Sequence, residues 1–396
     1  MKNSVIVAGA RTPIGKLLGS LGSLTAAELG GVAVRSALER AGIAATEVDA
    51  VIMGNVVQAG VGANPARLAA ISGGIPLSVP ATTVNKLCLS GLTALAQADQ
   101  AIRTGYSTIV VAGGFESMTN APYLLRGARK GFKHGPTALE DALDRDALTC
   151  GIEQQSMGAS TEQHQAPLNI SRAEQDEFSA SSHQKAAAAI AAGRFAGEIT
   201  PVTVTTRAGD TIVDTDEGVR GGATAEKLSG LRPAFAVDGT ITAGSSAQLS
   251  DGGAALVVMD KDEAIRRGLD WLAEIVSYGT VAGPDASLLL QPAGAIRDAL
   301  RRSGSLAIGD LDVVEINEAF AGVALASTRQ LGLDIDRVNP NGGSIALGHP
   351  VGMSGARLVL TLALELKRRG GGIGAAALCG GGGQGDALII RVPRND

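Results

Sequence analysis

Apolar positions along this chain fall into two patterns. In "STIVVAGG" (Ser107 to Gly114) and "DALIIRV" (Asp386 to Val392) they form short continuous runs, the mark of strands buried on both faces. Between such runs lie longer stretches with a helical distribution, such as the alanine-rich segment that follows Ser90-Gly91. Helices alternating with doubly buried strands predict an α/β fold of parallel sheets covered on both sides by helices.

The pattern occurs twice. "ALERAGIAATEVDAVIMGNV" (Ala37 to Val56) matches "ALRRSGSLAIGDLDVVEINEAF" (Ala299 to Phe320): a helix ending in glycine, a polar turn, then an apolar strand. "VNKLCLSGLTALAQADQAIRTGYSTIVVAGG" from Val84 is echoed by "VNPNGGSIALGHPVGMSGARLVLTLALELKRRGGGIGAAALCGG" from Val338. This alignment sets Cys88 against Gly352 and Cys379 against Ala112. Two pseudo-equivalent halves are expected, residues 1–265 and 266–396. The first is interrupted from about Thr119 to Ser250 by charged helices and short strands. There Ser171 and Glu174 predict a capping box for a helix ending near Gly193, and "ITPVTVTT" and "TIVDTD" predict strands. So long an insertion in a compact unit covers a site or makes an interface.

Composition narrows the class. Across 396 residues, 45% are apolar, only 3% aromatic, and 54 are glycine, so small aliphatic side chains and close backbone approaches must fill the interior. Net charge is −5 and no Lys/Arg run is interleaved with aromatics, which argues against nucleic-acid binding. The apolar run in "MKNSVIVAGARTPIG" is too short for a signal peptide and no segment reaches membrane-span length, so a soluble cytoplasmic protein is expected. Three cysteines cannot build a disulfide framework, and none is spaced as a zinc-ligand pair, so no metal is expected.

Four features fall at strand ends or helix starts, where ligands of α/β sheets gather: Cys88, "NEAF" (Asn317 to Phe320), "GHP" (Gly348 to Pro350) and "CGGGGQG" (Cys379 to Gly385). Isolated cysteines are mostly small buried hydrophobes. Cys88, however, stands just before a helix start, where free N–H groups and the dipole favour a thiolate. His349 is a candidate base for it, and the other three of the four histidines lie in the insertion. Gly380 to Gly385 satisfies G-x-G-x-x-G, but a strand follows where a dinucleotide fingerprint needs a helix. Two readings of the run remain: backbone N–H groups aimed at a developing oxyanion, or a tight hairpin turn.

Taken together, "VIVAGARTPIGK", "VNKLCLSG", "GGFESMTNAPY", "LRPAF", "TAGSSAQLSDGGAA", "EINEAF", "NPNGGSIALGHPVGMSGAR" and "LCGGGGQG", in this order and spacing, resemble the thiolases over nearly the whole chain. The resemblance implies duplicated α/β halves in a layered αβαβα arrangement with an inserted loop domain. It implies an acetyl-CoA C-acetyltransferase that condenses two acetyl-CoA to acetoacetyl-CoA, or a 3-ketoacyl-CoA thiolase of fatty-acid β-oxidation acting on longer chains.

Cys88 is then the acyl-accepting nucleophile, His349 its activator, Asn317 the holder of a water in the first oxyanion hole, and Cys379 the acid/base for the α proton. Backbone N–H groups of Cys88 and Gly381 make the second hole. Coenzyme A and acetyl-CoA are substrates, with no tightly bound cofactor. Arg220 lies near the nucleotide, and Leu148, Met157, Phe235, Ala243 and Leu288 line the pantetheine and acyl passage. A homodimer or homotetramer is implied. Three departures bear on substrate preference: Ser156 where many relatives have His, Ala247 where they carry a pantetheine-binding Ser, and "LQPAGA" in place of Gly-Pro-x-Pro-Ala. A decarboxylating ketoacyl synthase and a non-catalytic acyl-CoA-binding subunit are the competing classes. Cys379 argues against the first, and the presence of both Cys88 and His349 against the second.

Overall fold

The computed structural model describes residues 2–207 and 209–394. Capping signals in the sequence set the helix ends. Thr25 accepts the Glu28 N–H and Glu28 reaches back to the Thr25 N–H, starting α1 (Ala26–Ala41), which Gly42 ends at φ 64°. Helices α2 (Pro65–Ser72) and α3 (Ser90–Arg103) follow. The strands of this half are β1 (Ser4–Arg11), β2 (Ala50–Gly54), β3 (Ala81–Val84), β4 (Ile109–Ser117) and β5 (Ser250–Asp260). The insertion between β4 and β5 carries α4 (Met157–Gln165), α5 (Arg172–Ala191) and a hairpin of Val202–Thr206 with Gly209–Val213. Ser171 and Glu174 form the expected capping box, and Gly193 follows α5 at φ 66°. The second half has α6 (Gln291–Ser303), α7 (Ala321–Leu331) and α8 (Ser354–Arg368). Its strands are β6 (Ala273–Ala282), β7 (Val313–Ile316), β8 (Gly372–Gly380) and β9 (Gln384–Val392).

The strands run β3-β2-β4-β5-β1-β6-β9-β8-β7 across one continuous sheet, with two-residue Gly15–Lys16 added on β5. The second half repeats the first in order, Val338 bridging β7 in parallel as β3 pairs with β2. The halves join where Val5 and Ile6 of β1 face Glu274 and Ala273 of β6. The expectation of parallel sheets is corrected here. The β2–β3, β2–β4 and β7–β8 pairs are parallel, whereas β1–β5, β4–β5, β6–β9 and β8–β9 are antiparallel. Continuous apolar runs report burial of both strand faces, which flanking helices supply whichever way the strands point.

The repeat alignment also shifts. Asp49 accepts the Ile109 N–H at 2.9 Å and Asp312 accepts the Ile373 N–H at 2.9 Å, so Ile109 and Ile373 are equivalent. Cys379 stands six residues past Ile373, as Phe115 stands six past Ile109, and so matches Phe115 rather than Ala112. Runs of small residues align by type in several registers; the carboxylate locks select one. Cys88 and Gly352, by contrast, each precede a helix-opening Ser-Gly by one leucine or methionine, as expected.

Five layers result. Helices α1 and α2 pack on the outer face of the first-half strands, and α6 with α7 on the outer face of the second. Between them α3 and α8 share one core with the inner faces of both. The two central helices meet through backbone. A Cβ on Gly352 would lie 2.5 Å from the Phe115 carbonyl oxygen and 2.9 Å from that of Gly54, and one on Gly91 would lie 2.8 Å from the Gly352 oxygen. The insertion is tied to β1 by Arg11, which is fully buried and holds Glu198 at 2.7 Å and Asp216 by two bonds of 2.7 and 2.9 Å.

The substitution G352A is expected to lower stability by about 3 kcal/mol, since main chain surrounds the new methyl and cannot step aside. G309A, where the added Cβ meets nothing within 4 Å, should stay within about 0.5 kcal/mol. Equilibrium denaturant unfolding of both variants checks the contrast.

Candidate active site

The turn between β3 and α3 presents Cys88. Leu87 before it sits at φ 53°, a left-handed conformation that a leucine holds only under constraint. The constraint is visible: Asn85 Oδ1 accepts the Leu87 N–H at 3.1 Å, while Ser90 Oγ accepts the Lys86 N–H at 2.8 Å and donates to the Leu87 carbonyl at 2.6 Å. Across from it β8 ends at Gly380, and Gly382 and Gly383, at φ 76° and 70°, turn the chain into β9. Gly382 and Gly383 make the hairpin turn, and the Gly381 N–H is directed at the Cys88 sulfur. Gly348 at φ 110° swings His349 inward, its N–H donating to the Gln248 carbonyl at 3.0 Å.

These groups share a cavity of about 580 Å³. Cys88, His349, Cys379 and Gly381 line it, together with Leu148, Met157, Arg220, Phe235, Ala243 and Leu288. Asn317 does not reach the wall; it is fully buried behind His349, its Nδ2 3.4 Å from His349 Nε2. Burial grades along the cavity from a buried floor at His349, Cys379 and Gly381 to an exposed rim at Lys16, Asp144, Arg220 and Ala243. Phe235 and Phe320 meet edge to face, centroids 5.8 Å apart, and form part of an apolar wall. Ser156 lines the wall and caps α4 by accepting the Ala159 N–H at 3.1 Å; Ala247 adds only a methyl. Gln291 of the altered "LQPAGA" stretch holds the Gly283 carbonyl at 3.1 Å.

Dryness dominates the electrostatics. Burial pushes the Cys88 thiol up to about 12, against the pull of its own and the Gly381 N–H, and the Glu116 carboxylate pushes the same way. The thiolate expected from the helix N-terminus is thus overturned: a few N–H dipoles do not replace the water a thiolate loses. Cys379 is raised further, by its setting among Ile241, Leu288 and Phe320 and by the neighbouring Cys88 sulfur. Burial pulls the His349 imidazole down to about 3, with the Arg357 charge adding. Ser354 Oγ donates to the Pro350 carbonyl at 2.9 Å and lies 2.6 Å from His349 Nδ1. With its one proton committed, Ser354 accepts the Nδ1–H, leaving the lone pair on Nε2.

Several contributors went unrecognised in the sequence. Leu87, Ser344, Ser354 and Arg357 lie inside the motifs quoted above, but their residue types signal no chemistry. Glu116, near the end of β4, collects the N–H groups of Val56, Val57 and Gly352 at 3.0, 3.1 and 3.0 Å and so ties the segment after β2 to the turn before α8.

Comparison with known proteins accords with this geometry. A family model described as Thiolase, N-terminal domain matches residues 4–262, and one described as Thiolase, C-terminal domain matches residues 269–392. A probable acetyl-CoA acetyltransferase of Mycobacterium tuberculosis is 57% identical over 99% of this chain and 100% of its own length. An acetyl-CoA acetyltransferase of Pseudomonas aeruginosa is 47% identical over 98% of this chain and 99% of its own. The crystal structure of the Bacillus anthracis acetyl-CoA acetyltransferase superposes with a TM-score of 0.96 at 41% identity, covering 99% of both chains. Among the described residues no helix is long and apolar enough to cross a membrane.

With a Cys88 thiol near 12, the reactive thiolate grows about tenfold per pH unit throughout the neutral range. Alkylation of Cys88 by iodoacetamide in the ligand-free protein should therefore rise with that slope from pH 7 to 10 without levelling. A plateau below pH 9 in peptide mass mapping would contradict the assignment.

Proposed function

The chain belongs to the thiolase family and is an acyltransferase; from that premise we propose that it joins two acetyl-CoA molecules into acetoacetyl-CoA and free coenzyme A, reversibly, through an acetyl group carried on Cys88. One observation carries the assignment of roles: two sulfurs and an imidazole, supplied by both halves, open into one cavity with a dry floor. In this reading His349 Nε2 takes the Cys88 proton as the sulfur attacks the first thioester carbonyl. The coenzyme A thiolate that departs takes the Cys379 proton. The Cys379 thiolate then removes an α proton from the second acetyl-CoA, and the resulting carbanion attacks the acetyl-Cys88 carbonyl. Cys88 leaves as a thiolate and recovers its proton from His349. Every group ends as it began, and one acetyl transfer and one C–C bond are the net change.

Burial supports the part given to Cys379. An α proton next to a thioester is weakly acidic, and a thiol raised well above its ordinary range makes a correspondingly strong base once ionised. The Gly381 N–H directed at the Cys88 sulfur supports an oxyanion hole built from the Cys88 and Gly381 amides, beside the carbonyl of an acyl group held there. A first hole made by His349 and a water on Asn317 is supported by the contact between those two side chains. Lys16 and Arg220, the exposed cations on the rim, support entry of a phosphate-bearing coenzyme A in an otherwise acidic protein, with Leu148, Met157, Phe235, Ala243 and Leu288 along its arm. Strand β3, the outer strand of its end of the sheet, supports assembly with a second copy as a homodimer or homotetramer.

The two cysteines separate the half-reactions. C379A is expected to form acetyl-enzyme on Cys88, visible by mass spectrometry, while acetoacetyl-CoA synthesis falls about 10³-fold. C88A should do neither. Thiolysis kinetics with acetoacetyl-CoA and longer 3-ketoacyl-CoAs test the substrate: ping-pong behaviour with the highest kcat/KM on acetoacetyl-CoA is expected. A clear preference for longer chains would replace the acetyl-specific reading with a 3-ketoacyl-CoA thiolase.

A further inference from the structure

Behind His349 the buried side chains form a single file. Arg357 Nη2 donates to Ser344 Oγ at 3.2 Å, and Ser344 Oγ donates to Asn317 Oδ1 at 2.6 Å. Asn317 Nδ2 faces His349 Nε2 at 3.4 Å, His349 Nδ1 meets Ser354 Oγ at 2.6 Å, and Ser354 donates to the Pro350 carbonyl at 2.9 Å. All five side chains are at least nine-tenths buried, so no bulk water competes for these bonds.

The two ends of the file cannot reverse. A guanidinium only donates and a carbonyl oxygen only accepts. Arg357 takes up one lone pair of Ser344 Oγ and the Ser344 proton goes to Asn317 Oδ1, which turns the amide oxygen away from the imidazole and the NH₂ toward it. An NH₂ group facing Nε2 requires a lone pair there, so the proton of the neutral ring sits on Nδ1. Arg357 occupies α8 one turn beyond Ser354, 3.7 Å from Glu315 of β7, and does not line the cavity.

We infer that Arg357 is a positioning residue for His349: acting through Ser344, it fixes the orientation of the Asn317 amide and thereby keeps Nε2 of His349 unprotonated. The inference rests on the reading of His349 as the base for Cys88 given above. Its consequence is directional. Without the donor, Ser344 can accept as well as donate, the Asn317 amide can turn over, and its oxygen then favours a proton on Nε2, the atom that must be free to receive one.

The test measures the tautomer and the rate separately. In protein labelled with ¹⁵N-histidine, whose four histidines give a resolvable set once His349 is identified by its loss in H349Q, wild type should show His349 as the pure Nδ1–H form. R357M and S344A should each show a mixture of both tautomers. Their kcat should fall about 100-fold, the range for a lost oriented donor, with KM for acetoacetyl-CoA changed less than about threefold. R357K, which keeps one donor, should recover kcat to within about tenfold of wild type. The R357M/S344A double variant should lose little more than either single, since both cut the same file. If R357M does not fold, S344A carries the measurement.

Unchanged kcat in both variants overturns the inference, and so does a fall in kcat with the Nδ1–H form intact, which marks a merely structural role. Full activity in H349A would instead remove the reading of His349 as base, leaving the tautomer result to stand or fall by itself.

Discussion

The backbone-to-backbone contact at Gly352 is the constraint on which the site depends. Its carbonyl and Cα lie against Gly54, Gly91, Phe115 and Gly114 so closely that no side chain fits at these glycines. The contact brings the N-terminal turns of α3 and α8 together at the centre of five layers. Cys88 and His349 belong to those turns, so a group from each half reaches one cavity. Glu116 reinforces the approach by accepting N–H groups from Val56, Val57 and Gly352 at once. A chain rich in glycine and poor in aromatics is what such an interior requires.

The same close packing sets the electrostatics. Burial raises the two thiols and lowers the imidazole, so all three groups rest uncharged. A neutral resting site suits a mechanism in which charge forms only when a thioester carbonyl is present to receive it, beside amide N–H groups already in position. It also makes proton placement consequential. One imidazole nitrogen is tied to Ser354 and the other faces the Asn317 amide, and the file of donors from Arg357 runs in the direction that keeps a lone pair there.

Much of the fold was legible along the chain. The capping box at Ser171, glycines after α1 and α6, and the doubled helix–turn–strand pattern located the elements and the two halves. Strand direction was not legible, because burial of both faces looks alike in parallel and antiparallel sheets. Nor was the register of the second repeat: small residues in "IVVAGG" and "GAAALCGG" align in several ways, and only the locks at Asp49 and Asp312 select the one that matches Cys379 with Phe115. At the site, the residues whose types carry chemistry, Cys88, His349 and Cys379, could be picked out, and the family resemblance added Asn317, Gly381 and the cavity wall.

The sequence by itself determined which reactive groups exist and near which helix starts and strand ends they lie, since residue type and local periodicity are properties of short segments. Only the tertiary structure decided that the groups share a dry cavity, that burial overrides the helix N-terminus at Cys88, and that Leu87, Glu116, Ser344, Ser354 and Arg357 hold them in place. Desolvation arises from segments far apart in the chain, and the hydrogen-bond directions from a file spread over residues 317–357, and no short segment contains either.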